Sequence, residues 1–118
     1  MAVSSILTIE QGATFQKLFT WQDSNGDPID LTNYTSASME IRDTDFDGEI
    51  LMTLSTDNSR ITLGGALGTI SLEISASDTA SLDFTVGVYD IELTRNDGYV
   101  KRLVQGSVEM LENATRGA

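Results

Sequence analysis

The 118-residue chain has no cysteine, no histidine and one proline, and only 7 lysine and arginine residues. Each shortage excludes something. Without cysteine there is no disulfide framework, no thiolate nucleophile and no cysteine-based zinc site. Without histidine there is no imidazole base, which removes Ser–His–Asp and Cys–His chemistry together. The few basic residues face 18 Asp and Glu, for a formal charge of −11. A groove that follows phosphates needs clustered positive charge. Lys101-Arg102 is the sole adjacent basic pair in the sequence, so no nucleic-acid partner is expected. The same acidity disfavours contact with anionic membranes. No apolar run approaches the roughly 18 residues of a membrane helix. MAVSSILTIE lacks the cationic and long apolar regions of a signal peptide, so the sequons at Asn33 and Asn113 are read as chance.

What is present is strand periodicity. In TISLEIS (69–75), Ile70, Leu72 and Ile74 alternate with Ser71, Glu73 and Ser75. Successive strand residues point to opposite faces, so this is one buried and one wetted face. SASMEIR (36–42) groups Ala37, Met39 and Ile41, and VYDIELT (88–94) groups Tyr89, Ile91 and Leu93. ATFQKLFTWQ (13–22) groups Phe15, Phe19 and Trp21, with Lys17 as the exception. DSNGDP, DTDFDG, TDNS, GGALG and RNDG separate these runs. Such Asx- and Gly-rich clusters are turn chemistry, and Asp97-Gly98 is a hairpin signal. The segment 75–83 breaks the pattern, and Ser77 or Asp78 is expected to cap a short helix ending near Leu82. The length fits one domain with its own core, expected to span 1–112, with 113–118 as a flexible tail. Seven or eight short strands with frequent turns predict an all-β antiparallel sandwich with one short crossover helix. A small barrel is the competing architecture.

Several patterns invite a chemical reading. DTDFDG places Asp43, Asp45 and Asp47 at positions 1, 3 and 5 of a calcium loop, with Gly48 at position 6. Position 12, which requires a bidentate glutamate, is Leu54, and the flanks read as strands. Ile50, Met52 and Leu54 instead continue as one face of a strand. Three aspartates on a turn remain as a possible calcium site; no other cofactor is implied. In DSNGDPID (23–30), Asn25-Gly26 makes a turn and the aspartates solvate it. Phe15, Phe19 and Trp21 match a sugar-stacking platform, but aromatics at strand spacing are more often core. No pair of carboxylates is marked as buried in a cleft, so no catalytic residue is assigned and the chain is not expected to be an enzyme.

Three segments together carry a resemblance: IEQGATFQKLFTWQDSNGDPIDLTNYTSASMEIRD (9–43), GTISLEISASDTASL (68–82) and GVYDIELTRNDGYVKRLVQGSVEML (87–111). Their distinctive pieces are Gln11-Gly12, Gly26 to Thr32, Tyr89 to Leu93 and Arg102 to Gly106. This order resembles a family of small tailed-phage virion proteins with an immunoglobulin-like sandwich. It is similar to the amino-terminal domain of upper baseplate proteins and to related tail and fibre modules. The resemblance implies a multicopy, non-enzymatic structural protein of a phage particle, assembled in the host cytoplasm. Its partners would be other virion proteins and copies of itself. In upper baseplate proteins this domain is followed by chain leading to a receptor-binding part, whereas this chain stops at Ala118. The expectation is therefore a tail, baseplate or fibre-adaptor component, with a capsid decoration protein as the alternative. A calcium- or carbohydrate-binding module is the reading from another class. Edge strands offer unpaired backbone groups for strand addition. The amino-terminal VSSILTIE and the hairpin around Tyr99 are the expected contacts, with Ile6, Thr8, Tyr99, Lys101 and Arg102 as interface residues. Both are equally well ordinary sandwich strands. Gly106 is expected to mark a bulge or bend.

Overall fold

A computed structural model describes residues 3–43 and 48–111, with side chains from Ser5 onward. Asp45 and Asp47 of the acidic turn, and the expected tail 113–118, lie outside the described residues. Nine strand segments are described: β1 (Val3–Ser4), β2 (Leu7–Glu10), β3 (Phe15–Thr20), β4 (Tyr34–Asp43), β5 (Ile50–Ser55), β6 (Ile61–Leu63), β7 (Thr69–Ile74), β8 (Val86–Arg95) and β9 (Val100–Leu111). The first two are halves of one strand interrupted at Ser5-Ile6. A 3-10 turn (Gly65–Leu67) precedes β7, and a short helix α1 (Ala76–Ala80) joins β7 to β8.

Two sheets face each other. The larger has the order β1-β9-β8-β4-β5, with β2 also on β9; the smaller has the order β3-β7-β6. β1 and β2 run parallel to β9, whereas the other pairings are antiparallel. This is the immunoglobulin-type sandwich, with the sheet of the last two strands widened by β5. The three residue groups read as core, Ala37/Met39/Ile41, Ile70/Leu72/Ile74 and Tyr89/Ile91/Leu93, each expose 2 % or less. Phe15 is buried and Phe19 and Trp21 pack against the core, so the aromatic row is structural rather than a sugar platform. Lys17 has the inward register position between the two phenylalanines, opposite Leu72, yet it is exposed. It lies on an edge strand, where its long stem swings out and its ammonium sits 5.5 Å from the Phe19 ring centroid.

Three local expectations need correction. The helix is capped by Ser75, whose hydroxyl accepts from Asp78 N at 3.3 Å, and not by Ser77 or Asp78. Ser75 keeps extended backbone directly after β7, so the helix begins sooner, and this turns Thr79 fully into the core. Ile50 does not share a face with Met52 and Leu54. Pairing shifts from Ile41↔Met52 to Arg42↔Ile50, so Leu51 is an extra residue on β5. A bulge reverses every side chain beyond it, and Ile50 lies 44 % exposed. The bulge in β9 falls at Leu103, where pairing steps from Ile91↔Val104 to Glu92↔Arg102, and not at Gly106.

Candidate functional site

Among the described residues none covers the outer face of the large sheet, and its centre is a trough of about 580 Å³. Its walls come from three adjacent strands: alternate residues Ser38, Glu40 and Arg42 on β4 and Val88, Asp90 and Glu92 on β8, and, on either side of the Leu103 bulge, Arg102 and Gln105 on β9. The register sets Glu40 beside Asp90, and Asp90 beside Gln105. Carboxylates so close are held by arginines. Arg42 Nη2 reaches Glu40 at 2.7 Å, and its Nη1 donates to Gly48 O at 2.9 Å. Arg102 lies 3.3 Å from Asp90 and 3.8 Å from Glu92. These pairs are partly exposed, where an ion pair contributes about 1 kcal/mol or less. Their value here is positional: they fix a charged floor of both signs that can hydrogen-bond a partner.

One end of this face carries exposed apolar side chains. Ile50 on β5 sits opposite Arg42, which pairs with Val88; Val86 is one outward step further along β8, opposite Glu109; Leu111 on β9 is opposite Glu10. Ile50, Val86 and Leu111 are 44 %, 49 % and 52 % exposed. These exposed apolar side chains form a broken band across the sheet below the charged trough, with Arg42 and Glu109 standing between them. The hairpin between β8 and β9 lies at the other end, tied to the start of β4 by Asn96 N donating to Asn33 O at 2.8 Å. There Arg95 lies over the Tyr99 ring at 4.5 Å and grips Asp97 through two bonds of 3.0 and 2.9 Å. That clamp, with the Tyr99 N–H, pulls the Asp97 carboxyl down to about 2.

The two lateral sides of the sandwich differ. On the β5 side, Asn58 donates to Thr53 O at 2.9 Å and accepts from Ser55 N at 2.9 Å. Arg60 donates to Thr53 O as well and pairs with Asp78 of α1 at 2.8 Å. The free edge of β5 is therefore partly capped by its own chain. On the opposite side, β2 and β3 border a cleft of about 400 Å³ lined by Ile6, Leu7, Thr8, Glu10, Thr14, Phe15, Gln16 and Lys17.

The expected interface residues do not form one patch. Ile6 and Thr8 border the cleft, and Thr8 lies beside Glu109 near one end of β9. Tyr99 and Lys101 belong to the hairpin at the other end, and Arg102 belongs to the trough. Ile6 and Tyr99 are exposed, at 65 % and 47 %, whereas Lys101 is half-buried opposite Leu93. Asp43 ends β4, exposed, its N–H donating to Glu49 O at 2.9 Å. In the other acidic loop, Asp23 accepts from Asn25 N and Asp27 N, and Asp30 accepts from Thr32, which holds the Asp30 carboxyl below its usual range. Among the described residues no group of three acidic, cysteine or histidine side chains is arranged to hold a metal. Also among them, no helix is long and apolar enough to cross a membrane. Sequence reasoning missed the trough and the apolar band. The i, i+2 charges Glu40/Arg42 and Asp90/Glu92 signalled the first; the second depends on the Leu51 bulge.

No family model matches the chain, and no curated protein matches it in sequence. Solved structures do. A crystal structure of a strand-swapped dimer of the immunoglobulin-like domain of mouse leukocyte-associated immunoglobulin-like receptor 1 superposes with a TM-score of 0.50. The match covers 91 % of this chain and 88 % of that one, at 17 % identity. The fold is immunoglobulin-like. A structure of VGSC beta subunits, from work on their multimeric cell-adhesive interactions, has a TM-score of 0.44, covering 92 % of each chain at 14 % identity. Likeness at such identity extends to the fold alone.

Proposed function

We propose that the chain is a non-enzymatic assembly module, a structural protein of a tailed-phage particle that works in several copies at the tail, baseplate or fibre junction. The observation that supports assembly is the exposed Ile50, Val86 and Leu111, a broken apolar band beside a charged trough, on a sheet face that none of the described residues covers. Exposed apolar side chains gathered at one end of an open sheet offer a surface that a partner can cover. The trough beside the band supplies ion-pairing groups of both signs, which give a protein partner register and orientation. Its carboxylates are tied to arginines and none has a named proton-transfer partner, which favours binding over catalysis.

The phage setting, the localisation in the virion and the other virion proteins as partners come from the sequence resemblance. Mass spectrometry of purified particles tests them: the chain is expected among the virion proteins, and its absence would sink this setting. Cryo-electron microscopy separates the two stations, because density at capsid lattice positions would replace the tail role with capsid decoration. The assembly role is tested by Val86→Glu/Ile50→Glu. This double variant should fold, since both side chains are exposed, and should lose incorporation or self-association.

A further inference from the structure

We propose that the groove along β9 holding residues 3–10 is an acceptor site for the amino-terminal strand of a second copy, so that copies join by exchanging this strand. The inference rests on the multicopy reading above. The segment is built as a guest on the rest of the fold. Its ladder runs to β9 alone, in two parallel stretches, Val3↔Val104 to Ser4↔Gln105 and Leu7↔Val108 to Glu10↔Leu111. Between them the chain jogs at Ser5, and the acceptor is shaped for that jog. A Cβ on Gly106 would lie 1.9 Å from the Ser5 carbonyl oxygen, so β9 needs a glycine there. Tyr89, 1 % exposed and the register partner of Gly106, reaches over that glycine to donate its hydroxyl to the same oxygen at 2.9 Å. Ser5 N donates to Gln105 O at 3.0 Å, and Leu7 and Ile9 are buried at 2 % and 0 %.

The backbone and hydroxyl bonds named here join the segment to β8 or β9. Residues 3–10 of a second copy would make them unchanged, which is the condition for exchange at small cost. What keeps the segment at home is the turn into β3. There Gly12 has φ +85, Gly12 N donates to Thr79 Oγ1 at 3.1 Å, Thr79 Oγ1 donates to Ala13 O at 2.8 Å, and Ala13 N donates to Glu10 O at 3.1 Å. Gln11 also donates its N–H to Leu111 O at 2.9 Å and its Nε2 to Leu82 O at 3.0 Å, so opening the turn costs this set of bonds. High local concentration within an assembly shifts that balance towards exchange. The exit path is open, because the free sides of β2 and β3 border the 400 Å³ cleft, with Ile6 65 % exposed.

The absence of cysteine makes a clean test possible. Thr8 and Glu109 are register partners and both are exposed. Thr8→Cys chains are mixed with mass-tagged Glu109→Cys chains, refolded together at about millimolar concentration, oxidised, and read by denaturing mass spectrometry, with light scattering on the native sample. Exchange predicts a native dimer whose mixed link exceeds both same-variant links. A native oligomer without that excess overturns exchange and leaves assembly through the apolar band standing. A monomer at every concentration overturns both. If the single variants refold poorly, the natively purified Thr8→Cys/Glu109→Cys double variant replaces them. Its link joins two chains under exchange, and a link that stays within one chain at high concentration overturns it.

Discussion

Gly106→Ala tests how the amino-terminal strand is held. The added Cβ would meet the Ser5 carbonyl oxygen at 1.9 Å, with Ser5 C and N at 2.9 and 3.1 Å. Ordinary carbon contacts lie near 3.5–4.0 Å, so Ser5 must move by about 1.5 Å or more. Gly106 lies within a ladder and Ser5 is held between two ladder stretches, so backbone faces the new Cβ and no flexible side chain can give way. The displacement breaks Ser5 N to Gln105 O and Tyr89 Oη to Ser5 O. Each intramolecular hydrogen bond contributes about 1 kcal/mol, giving a loss of about 2 kcal/mol. If Leu7 is drawn out of the core with Ser5, a further 1.5–3 kcal/mol or so is lost. At roughly 4 °C per kcal/mol for a domain of this size, the melting temperature should fall by about 8–20 °C. Hydrogen exchange should show lost protection confined at first to residues 3–10 and their partners on β9. Gly98→Ala is the control. Its φ is +90 but its Cβ would meet nothing within 4 Å, so only the backbone conformation resists, at about 1 kcal/mol. A Gly106→Ala protein within about 0.5 kcal/mol of wild type, with protection of residues 3–10 intact, would refute the account of this groove.

The remaining predictions concern other contacts. Thr79→Val should lose about 2–3 kcal/mol in urea titration, because Gly12 N and Ala13 O each lose a partner at a fully buried site, while Thr79→Ser should lose less. In acid, the depressed carboxyls of Asp97, Asp78 and Asp30 contribute stability that is present above their usual 3.8 and lost as pH falls towards about 2, the folded value for Asp97. Urea midpoints across that window should drop less steeply in Asp97→Asn. In alkali the sign reverses: burial raises the Tyr89 phenol above 10, outweighing its bond to Ser5, so stability should decline as pH rises past about 10 and Tyr89→Phe should flatten that decline. Lys17→Val should increase association measured by light scattering, since it removes the charge that interrupts the inward row of edge strand β3.

The parts of this fold legible in the sequence are those decided by period-two alternation. Tyr89, Ile91 and Leu93 read as inward and are inward, because a strand in a half-buried sheet has only one way to face. The bulges at Leu51 and Leu103 left no such trace. Leu51 follows Ile50 in an apolar run, and nothing local says which residue the facing strand will skip. That decision exposes Ile50, and with it part of the apolar band. Gly106 was visible as a glycine in a strand, but the cause is Ser5, a hundred residues earlier in sequence. The parallel docking of residues 3–10 on β9 is likewise a long-range event, one that a short amino-terminal alternation cannot announce. The charges of the trough were legible as wet-face residues; their pairing with Arg102 required the register of β8 and β9.

The free edges support one further step. A sandwich leaves four lateral edges, and each is an invitation to unwanted pairing. Here β6 has three residues, too few to template a strand, and β5 is capped by Asn58 and Arg60. β3 carries the inward-register Lys17. The edge formed by β1 and β2 is short and broken at Ser5-Ile6 but carries no inward charge: it is parallel, apolar inward, and ends in a turn held by Thr79 and Gln11. An inward charge on β3, a capped β5 and a wholly apolar inward row on β2 argue that pairing is channelled rather than merely avoided. If so, moving the protection should move the behaviour. An inward charge in the fourth edge, as in Ile9→Lys, should abolish assembly along with the β2 ladder, while restoring an apolar residue at position 17 should open a second, competing route.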